Sequence, residues 1–342
     1  MGLLAGILAI RTIPIADRLA LVRAGRVALG KAPPDDENVT QWLARTGVKP
    51  RARSLLFEPL CRAVMNDEPE RCSAAIFSHT LRIAFSSGPG GASLWVPTVP
   101  WGAVLDEPAQ TYFGKHDVRV RLNTKVRALD LNEQTPRIQL DADEVLEDHE
   151  RVVLALPWTG AAKLDTANRF VGRAPELRAA PIVNLHVPLP ANTLPCDDPV
   201  IAFEYGQPFH FICRRPNADS SLQSETPACM IAGGAYPLDG LPQREIVALG
   251  LEQLARFTRR TSPWPQETVE GARVVREAHA TIAATPGVSA LRPAPGPTQV
   301  PGLWLAGDWT DVGLPSTLEG AAHSGFAPLD ANTPGSTLSP SG

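Results

Sequence analysis

The chain has 342 residues, with 32 Lys and Arg against 36 Asp and Glu, which gives a formal net charge of −4 at pH 7. This length exceeds one typical domain and can bury a sizeable core, so we expect two interleaved domains. The near-even charge balance comes without a basic stripe, which argues against nucleic acid as a partner. The 34 prolines are too many for a helical bundle and favour a loop-rich α/β or α+β chain.

Cysteine usage indicates neither a disulfide framework nor a metal site. The chain has five cysteines, none in a CxxC pair and none at ligand-like spacing from histidine: Cys61, Cys72, Cys196, Cys213 and Cys229. Scattered thiols of this kind are typical of a cytoplasmic protein in a reducing compartment. We therefore predict a cytoplasmic protein with reduced cysteines and no metal.

The first ten residues are apolar, but the run stops at Arg11 and is too short to span a bilayer. The stretch also lacks the basic start and the small-residue cleavage site of a signal peptide. It continues as an amphipathic helical pattern, with apolar residues at Ile15, Leu19, Val22 and Val27. We expect a core-facing helix here. The alternative is a peripheral surface that dips into the inner face of a membrane to collect a lipid.

Residues 31–86 have the pattern of loops and helices. A loop at residues 31–38 precedes a short helix, which Asn38 or Thr40 can cap and which carries Trp42 and Leu43. A second helix is predicted over residues 52–65, kinked by Pro59, and a third over residues 70–85. The apolar face expected for the second helix consists of Leu55, Leu56, Leu60 and Val64. Residues 88–91 are glycine-rich and predict a hinge or tight loop, because no apolar strand precedes them and GxGxxG spacing is absent.

Residues 118–156 carry the signals of short strands. Apolar residues alternate in three groups, namely Val118, Val120 and Leu122; Val126, Leu129 and Leu131; and Ile138 and Leu140. In residues 151–156, Arg151 is followed by a continuous apolar run that ends at Pro157. This pattern is typical of a buried parallel strand. Further strands at residues 181–188, 200–205, 208–214 and 228–235 predict a mixed or antiparallel sheet, and residues 243–258 predict an amphipathic helix.

Titratable residues in the second half of the chain form no catalytic constellation. His186 and His210 lie within predicted strands, and neither has a neighbouring Ser, Cys or carboxylate pair that would make a triad or a glycosidase site. We expect both to be core or rim residues. Arg292 is the charge of greatest interest, although an ordinary ion pair on a loop explains it equally well.

The stretch from Leu303 to Ala321 has the order strand, acidic turn and helix start. An apolar run at residues 303–306 predicts a buried strand, and Gly307 and Asp308 end it. Ser316 or Thr317 can then cap a helix that has Glu319 in its first turn. The glycine permits close approach of a ligand, the carboxylate can accept hydrogen bonds from ligand hydroxyls, and the helix start favours an electron-rich group. On spacing alone, an ordinary βα turn with a solvent-facing Asp is an equal alternative.

These residues also resemble a known signature. Residues 305–308 followed by residues 316–321 resemble the carboxyl-terminal FAD signature of the flavin amine oxidase and carotenoid desaturase superfamily. Residues 306–311 with residues 313–317 are similar to a narrower group, the squalene-associated FAD-dependent desaturases or hydroxysqualene dehydroxylases. Further stretches are similar to the same group, namely residues 57–61, 65–70, 73–74, 269–276, 280–281, 283–286 and 291–293.

The resemblance implies an α/β fold, with an N-terminally truncated FAD/NAD(P)-binding (Rossmann-like) domain and an inserted α+β substrate domain. Residues 1–87 and 166–265 would then form the substrate domain, and residues 88–165 and 266–327 the FAD-binding domain. Residues 328–342, rich in Pro, Gly and Ser, predict a disordered tail. The resemblance implies FAD as the cofactor, held by Gly307, Asp308, Leu318, Glu319, Gly320 and Ala321, with Val126 at the adenine end.

The implied activity is that of an FAD-dependent oxidoreductase of isoprenoid and hopanoid lipid biosynthesis, which reduces hydroxysqualene to squalene. A carotenoid desaturase, an amine oxidase and a non-catalytic lipid-binding fragment are the alternatives, and no residue is assigned a catalytic role. Residues 1–120 contain no GxGxxG unit, which would normally seat the FAD pyrophosphate. A late start codon or a shortened paralogue would explain this, and we expect weak or no retention of FAD by this chain alone.

Overall fold

The computed structural model describes residues 14–86, 93, 95–131, 136–140, 145–146, 151–190, 192–204, 206–214 and 225–330. The chain forms two compact units that alternate in sequence. Unit 1 comprises Met1–Val118 and Ala179–Ala283, and unit 2 comprises Arg119–Arg178 and Ala284–Gly342. The predicted assignment of stretches to cofactor and substrate domains stays a prediction.

The first part of unit 1 is helical. Its helices are α1 (Ile15–Ala28), α2 (Val39–Arg45), α3 (Pro50–Ala52), α4 (Glu58–Met65), α5 (Ala74–Ser86) and α6 (Glu107–Lys115). Of the two caps considered, Asn38 and Thr40, it is Asn38 that caps α2, through a reciprocal capping box with Gln41 that was not predicted. Helix α6 was not predicted from the sequence.

Two π-helical turns each lead directly into a helix whose second residue is proline. The turn Arg53–Phe57 precedes Pro59, and the turn Gly102–Asp106 precedes Pro108. Proline has no N–H and its ring excludes the carbonyl four residues earlier, so the preceding turn widens. The disturbance predicted at Pro59 is therefore confirmed, in the form of a wider turn.

The buried faces of the first helices differ from the prediction. Ile15 and Leu19 are 71% and 53% exposed, while Leu21 and Ala28 are buried. The small residues Gly25 and Ala28 follow Leu21 at helical spacing, and this closely packing side faces the core. The expectation of a core-facing Ile15–Leu19 stripe is therefore wrong.

In α4 the buried apolar residues are Cys61 and Met65, and Phe57 continues this face into the π turn. The predicted face through Leu55 is wrong, because Leu55 is 43% exposed. Leu56, Leu60 and Val64 are half-buried, so the fully buried face lies one residue further along the chain than the predicted one.

The second part of unit 1 is a five-stranded antiparallel sheet covered by a long helix. Its strands are β5 (Ala179–Pro190), β6 (Val200–Ala202), β7 (Phe211–Arg214), β8 (Glu225–Gly233) and β9 (Arg273–Ile282), in the spatial order β6-β7-β8-β5-β9. Helices α8 (Tyr236–Asp239), α9 (Gln243–Thr258) and α10 (Gln266–Gly271) follow β8. The predicted antiparallel sheet and the helix over residues 243–258 are confirmed.

The core of unit 1 lies between this sheet and α9. Alternate residues of β5 are fully or almost fully buried: Val183, Leu185, Val187 and Leu189. Gly250 of α9 packs so closely on β5 that a Cβ atom there would lie 2.2 Å from Cδ2 of Leu185. A glycine at this position therefore sets the short distance between helix and sheet.

Unit 2 contains two small sheets and two longer helices. Strands β1 (Val126–Asp130), β2 (Arg137–Leu140) and β3 (Val145–Leu146) form an antiparallel meander. Strands β4 (Val152–Leu154), β10 (Gly296–Pro297) and β11 (Leu303–Leu305) form the second sheet, with β11 in the centre. Helix α7 (Trp158–Leu164) follows β4, and α11 (Leu318–Asp330) ends the described chain.

The strand predictions in this region have mixed outcomes. Strand β4 pairs in parallel with β11, which confirms the buried parallel strand predicted at residues 151–156. The prediction of a strand through Val118, Val120 and Leu122 is wrong, because these residues lie outside the strands of the structure. The N–H of Val118 donates to the carbonyl of Phe113, and Asp117 is left-handed with φ of 53°, so these residues close the C-terminus of α6.

Some predictions fall outside the described residues. The hinge at residues 88–91 and nearly all of the tail at residues 328–342 belong to this group. Among the described residues, no helix is long and apolar enough to cross a membrane.

Candidate functional site

The central strand of the second sheet leads into the predicted cofactor residues. All three residues of β11 are buried, and β11 pairs with β4 on one side and β10 on the other. The N–H of Ala306 extends the parallel pairing by donating to the carbonyl of Leu154 at 3.0 Å. In open α/β sheets, ligands bind beyond the carboxyl ends of the strands, which is where Gly307 and Asp308 lie.

Gly307 joins the strand end to α11 and accommodates a buried tryptophan. Its N–H donates to Oγ of Ser324 in α11 at 2.7 Å. Its φ is +141°, and a Cβ atom would lie 2.6 Å from Nε1 of Trp309. That indole is fully buried and donates to the carbonyl of Leu156 at 2.7 Å. Glycine is therefore required here by the packing of the chain itself.

The first turn of α11 leaves two backbone donors available. Thr317 is the cap, as predicted, because its Oγ1 accepts the N–H of Gly320 at 3.1 Å. The N–H of Ala321 donates to the carbonyl of Thr317 at 3.0 Å. Within the described part of the chain, no acceptor binds the N–H groups of Leu318 and Glu319. These donors add to the positive end of the helix dipole.

Arg292 binds the backbone of the loop between β11 and α11. This side chain is fully buried, and its guanidinium donates to four backbone carbonyls, those of Asp308, Trp309, Thr310 and Leu314. The nearest carboxylate oxygen, Oδ1 of Asp311, is 3.9 Å away. Burial lowers the pKa of Arg292, and Asp311 and Asp308 oppose that effect. The ion pair considered from the sequence is thus secondary to carbonyl binding.

The carboxylate of Asp308 has the exposure and the spare acceptor capacity that a ligand contact requires. Arg292 binds only the backbone carbonyl of this residue, and among the described residues none donates a hydrogen bond to its carboxylate. Asp308 is partly exposed. An acceptor at the strand end and two donors at the helix start suit a ligand that combines hydroxyl groups with an electron-rich edge. FAD has both features, so the residues present fit this cofactor.

The structure brings together six of the seven predicted cofactor residues. Gly307 and Asp308 lie beside the helix that carries Leu318, Glu319, Gly320 and Ala321. Gly320 is buried, and a Cβ atom there would lie 3.2 Å from the carbonyl oxygen of Pro315, so it lets the first turn pack on the preceding loop. Val126 lies at the start of β1 in the other sheet of unit 2. Its role at the adenine end stays a prediction.

A separate group of buried charges lies in unit 1. Arg62 donates to Glu68 through Nε and Nη2 at 3.1 and 2.9 Å, and Oε1 of Glu68 is 3.5 Å from Nε2 of His210. The N–H of Gly233 donates to Nδ1 of His210 at 3.4 Å, which places the imidazole proton on Nε2. Burial, reinforced by Arg62, lowers the pKa of His210 to about 4, while Glu68 and Asp67 act in the opposite direction. His210 is therefore a buried neutral residue near pH 7, in agreement with its predicted place in the core.

Sequence reasoning did not find the contacts that fix the candidate site. It selected Arg292 as an unusual charge but did not find its carbonyl partners, which lie 16 to 22 positions away. The burial of Arg292 had no local signal, because arginine is mostly exposed in proteins. The bond from Trp309 to Leu156 spans 153 positions and had no local signal.

The chain is similar to known flavoproteins in sequence and in fold. The sequence profile of the family described as flavin containing amine oxidoreductase matches residues 3–327. The chain is 30% identical over 281 residues to a hydroxysqualene dehydroxylase of Rhodopseudomonas palustris, and 29% identical over 282 residues to one of Sinorhizobium fredii. Each alignment covers 80% of this chain and 61% of the relative, so the chain spans about three fifths of the length of these proteins.

A solved structure supports the same fold. The structure of cyclohexylamine oxidase from Brevibacterium oxydans superposes with a TM-score of 0.61 at 13% identity, covering 94% of this chain and 75% of that one. At this identity the likeness concerns the fold alone. Together with the family match, it confirms the predicted FAD-binding type of α/β fold.

Proposed function

This chain belongs to the family of flavin-containing amine oxidoreductases, and on that basis we propose that it acts as an FAD-dependent oxidoreductase on a long apolar isoprenoid. The observation that carries the proposal is the arrangement after β11, where the partly exposed carboxylate of Asp308 receives no hydrogen bond from the described residues and the chain continues to the open N–H groups at the start of α11. The residues that resemble the FAD signature lie in this same stretch of the chain.

Each part of this arrangement has a distinct role in the proposal. The carboxylate of Asp308 accepts hydrogen bonds from hydroxyl groups of the cofactor, and the N–H groups of Leu318 and Glu319 donate to its electron-rich edge. Gly307 keeps the strand end close to α11 through Ser324. When bound, FAD would supply two-electron hydride chemistry, which no amino-acid side chain provides.

The proposed substrate is hydroxysqualene, and the proposed product is squalene. The conversion replaces the hydroxyl on an allylic carbon with hydrogen and releases water, so it requires a two-electron reductant and a proton. Both curated relatives carry the name hydroxysqualene dehydroxylase, which favours this substrate over the carotenoid of a desaturase or the amine of an amine oxidase. A non-catalytic lipid-binding protein is the alternative from a different class.

Peripheral contact with a membrane is the proposed route to such a lipid. Ile15 and Leu19 of α1 are more than half exposed, and Arg23 and Arg26 are exposed on the same side of the helix. Apolar side chains flanked by arginines suit the surface of an anionic bilayer. Sedimentation with vesicles of anionic and of neutral lipid tests this, and equal sedimentation with both would refute the electrostatic part.

The visible absorbance spectrum of the purified chain, recorded before and after addition of FAD and gel filtration, tests the cofactor. A flavin band that stays with the protein, weakened as the lack of a GxGxxG unit in residues 1–120 predicts, supports the proposed cofactor. Asp308→Ala should weaken FAD binding about tenfold or more, because it removes hydrogen bonds to a charged acceptor. Asp198→Ala, at an exposed aspartate in unit 1, is the matched control. Equal FAD affinity of Asp308→Ala and the control would refute the role assigned to this carboxylate.

The reaction is tested by supplying hydroxysqualene and a flavin reductant to the FAD-loaded protein and measuring squalene by mass spectrometry. Phytoene and a primary amine, each with an electron acceptor, serve as alternative substrates. Squalene formation supports the proposal. Turnover of only phytoene or only the amine would assign the corresponding relative, and binding of hydroxysqualene without turnover would indicate the non-catalytic alternative.

A further inference from the structure

We propose that Arg292 is a positioning residue of the cofactor site, which fixes the loop of residues 308–314 so that the carboxylate of Asp308 stays available to the ligand. This inference rests on the proposed FAD site and adds a residue that the signature motif does not contain. It is drawn from the bonds that Arg292 makes within unit 2.

The guanidinium holds both ends of the loop at once. Nη2 donates to the carbonyl of Asp308 at 3.1 Å, and Nη1 donates to the carbonyl of Leu314 at 2.7 Å. Between them, Nε donates to the carbonyl of Trp309 at 3.2 Å, and Nη2 also binds the carbonyl of Thr310. Four carbonyls that would otherwise point in different directions therefore converge on one planar group.

The segment that carries Arg292 is joined to the same loop by its own backbone. The N–H of Asp311 donates to the carbonyl of Pro293 at 2.8 Å. Asp311 is also engaged with the loop, because its Oδ1 accepts the N–H of Gly313 at 3.2 Å. Arg292 is thus held in place from the backbone beside it and does not depend on a close carboxylate partner.

Arg292 binds the backbone of Asp308 and leaves its side chain available. Its carbonyl is directed inward to Arg292, and its partly exposed carboxylate receives no hydrogen bond from the described residues. A loop without this anchor would sample several orientations of the carboxylate. Ligand binding would then have to select one of them, which lowers the apparent affinity.

Arginine is suited to this role in a way that lysine is not. A lysine ammonium is a compact charge with three donors and cannot span carbonyls on both sides of the loop, whereas the guanidinium fork can. Arg292→Lys therefore retains the positive charge and removes the geometry. Arg173→Lys is the matched control, because Arg173 lies in the same unit in an exposed pair with Glu176.

The test combines two measurements on the full 342-residue chain. The first is hydrogen–deuterium exchange without FAD, resolved to peptides from β11, the 308–314 loop and α11. The second is the FAD dissociation constant, together with the visible circular dichroism of the bound flavin at saturating FAD.

For Arg292→Lys we expect faster exchange confined to the loop and FAD binding weakened about ten- to a hundredfold, as expected for one or two lost charge-assisted hydrogen bonds. We also expect an altered flavin dichroism at saturation. Arg173→Lys should match the wild type in loop exchange, in FAD affinity and in flavin dichroism. Wild-type values for Arg292→Lys, or exchange that rises evenly across unit 2, would overturn the positioning role. If the wild type takes up no FAD, the proposed function fails, and loop exchange alone then decides whether Arg292 fixes the loop.

Discussion

Lowering the pH should destabilise unit 1 through His210, by an amount that follows from the burial of its imidazole. The pKa of His210 is lowered from 6.5 to about 4 by burial and by Arg62, with Glu68 and Asp67 opposing. Because the folded pKa lies below the unfolded one, the unfolded chain binds more protons between these two values. Stability is fully present above pH 6.5 and is lost as the pH falls through this window.

The difference between the two pKa values sets the magnitude. Full protonation of this one group costs about 3 kcal/mol of unfolding free energy, of which about 2 kcal/mol is already lost at pH 5. Little solvent screening applies, since His210 is only 8% exposed. This effect is large for a single residue in a protein of ordinary stability.

Urea unfolding at pH values from 7 to 4, followed by circular dichroism, measures the effect. His210→Asn keeps an acceptor for the N–H of Gly233 and removes the titrating group, so it should lose about 2 kcal/mol less than the wild type between pH 7 and pH 5. His79→Asn, at an exposed histidine of the same unit, should behave as the wild type. Identical pH dependence in His210→Asn and the wild type would show that the buried imidazole does not control acid sensitivity.

Two substitutions in unit 2 test its packing and its buried polar contacts. Gly307→Ala places a methyl group 2.6 Å from Nε1 of Trp309 at a φ of +141°, and should cost about 2–4 kcal/mol in unfolding free energy measured by urea titration. A smaller loss than about 1 kcal/mol would mean that the indole can move. Asp165→Asn should cost about 2 kcal/mol, because the buried carboxylate accepts three backbone N–H groups, at 2.6 Å from Arg169 and at 2.7 Å from both Phe170 and Val171. Unchanged thermal stability would show that a neutral amide serves these donors equally well.

Local sequence determined the elements whose signals are complete within a few residues. The cap at Asn38, the cap at Thr317 and the amphipathic helix Gln243–Thr258 all form as their patterns predict. The run at residues 303–306 likewise becomes a buried strand that ends at Gly307. Each of these depends on hydrogen bonds or periodicity within one or two turns of chain, so the residues themselves specify the structure. The resemblance of residues 305–308 and 316–321 to an FAD signature is local in the same way.

Tertiary structure decided which faces are buried and what the charged residues bind. In α1 the stripe through Ile15 is apolar enough for a core, yet it is exposed, and Leu21 and Ala28 on another side of the helix are buried instead. Burial depends on the partner surface as well as on the pattern. In α4, likewise, Cys61 and Met65 are fully buried while the predicted Leu60 and Val64 are half-buried. Arg292 meets its carbonyls only when two distant segments come together, and the pKa of His210 falls only when folding removes the imidazole from water beside Arg62. These features depend on desolvation and on long-range contacts, which the folded chain creates.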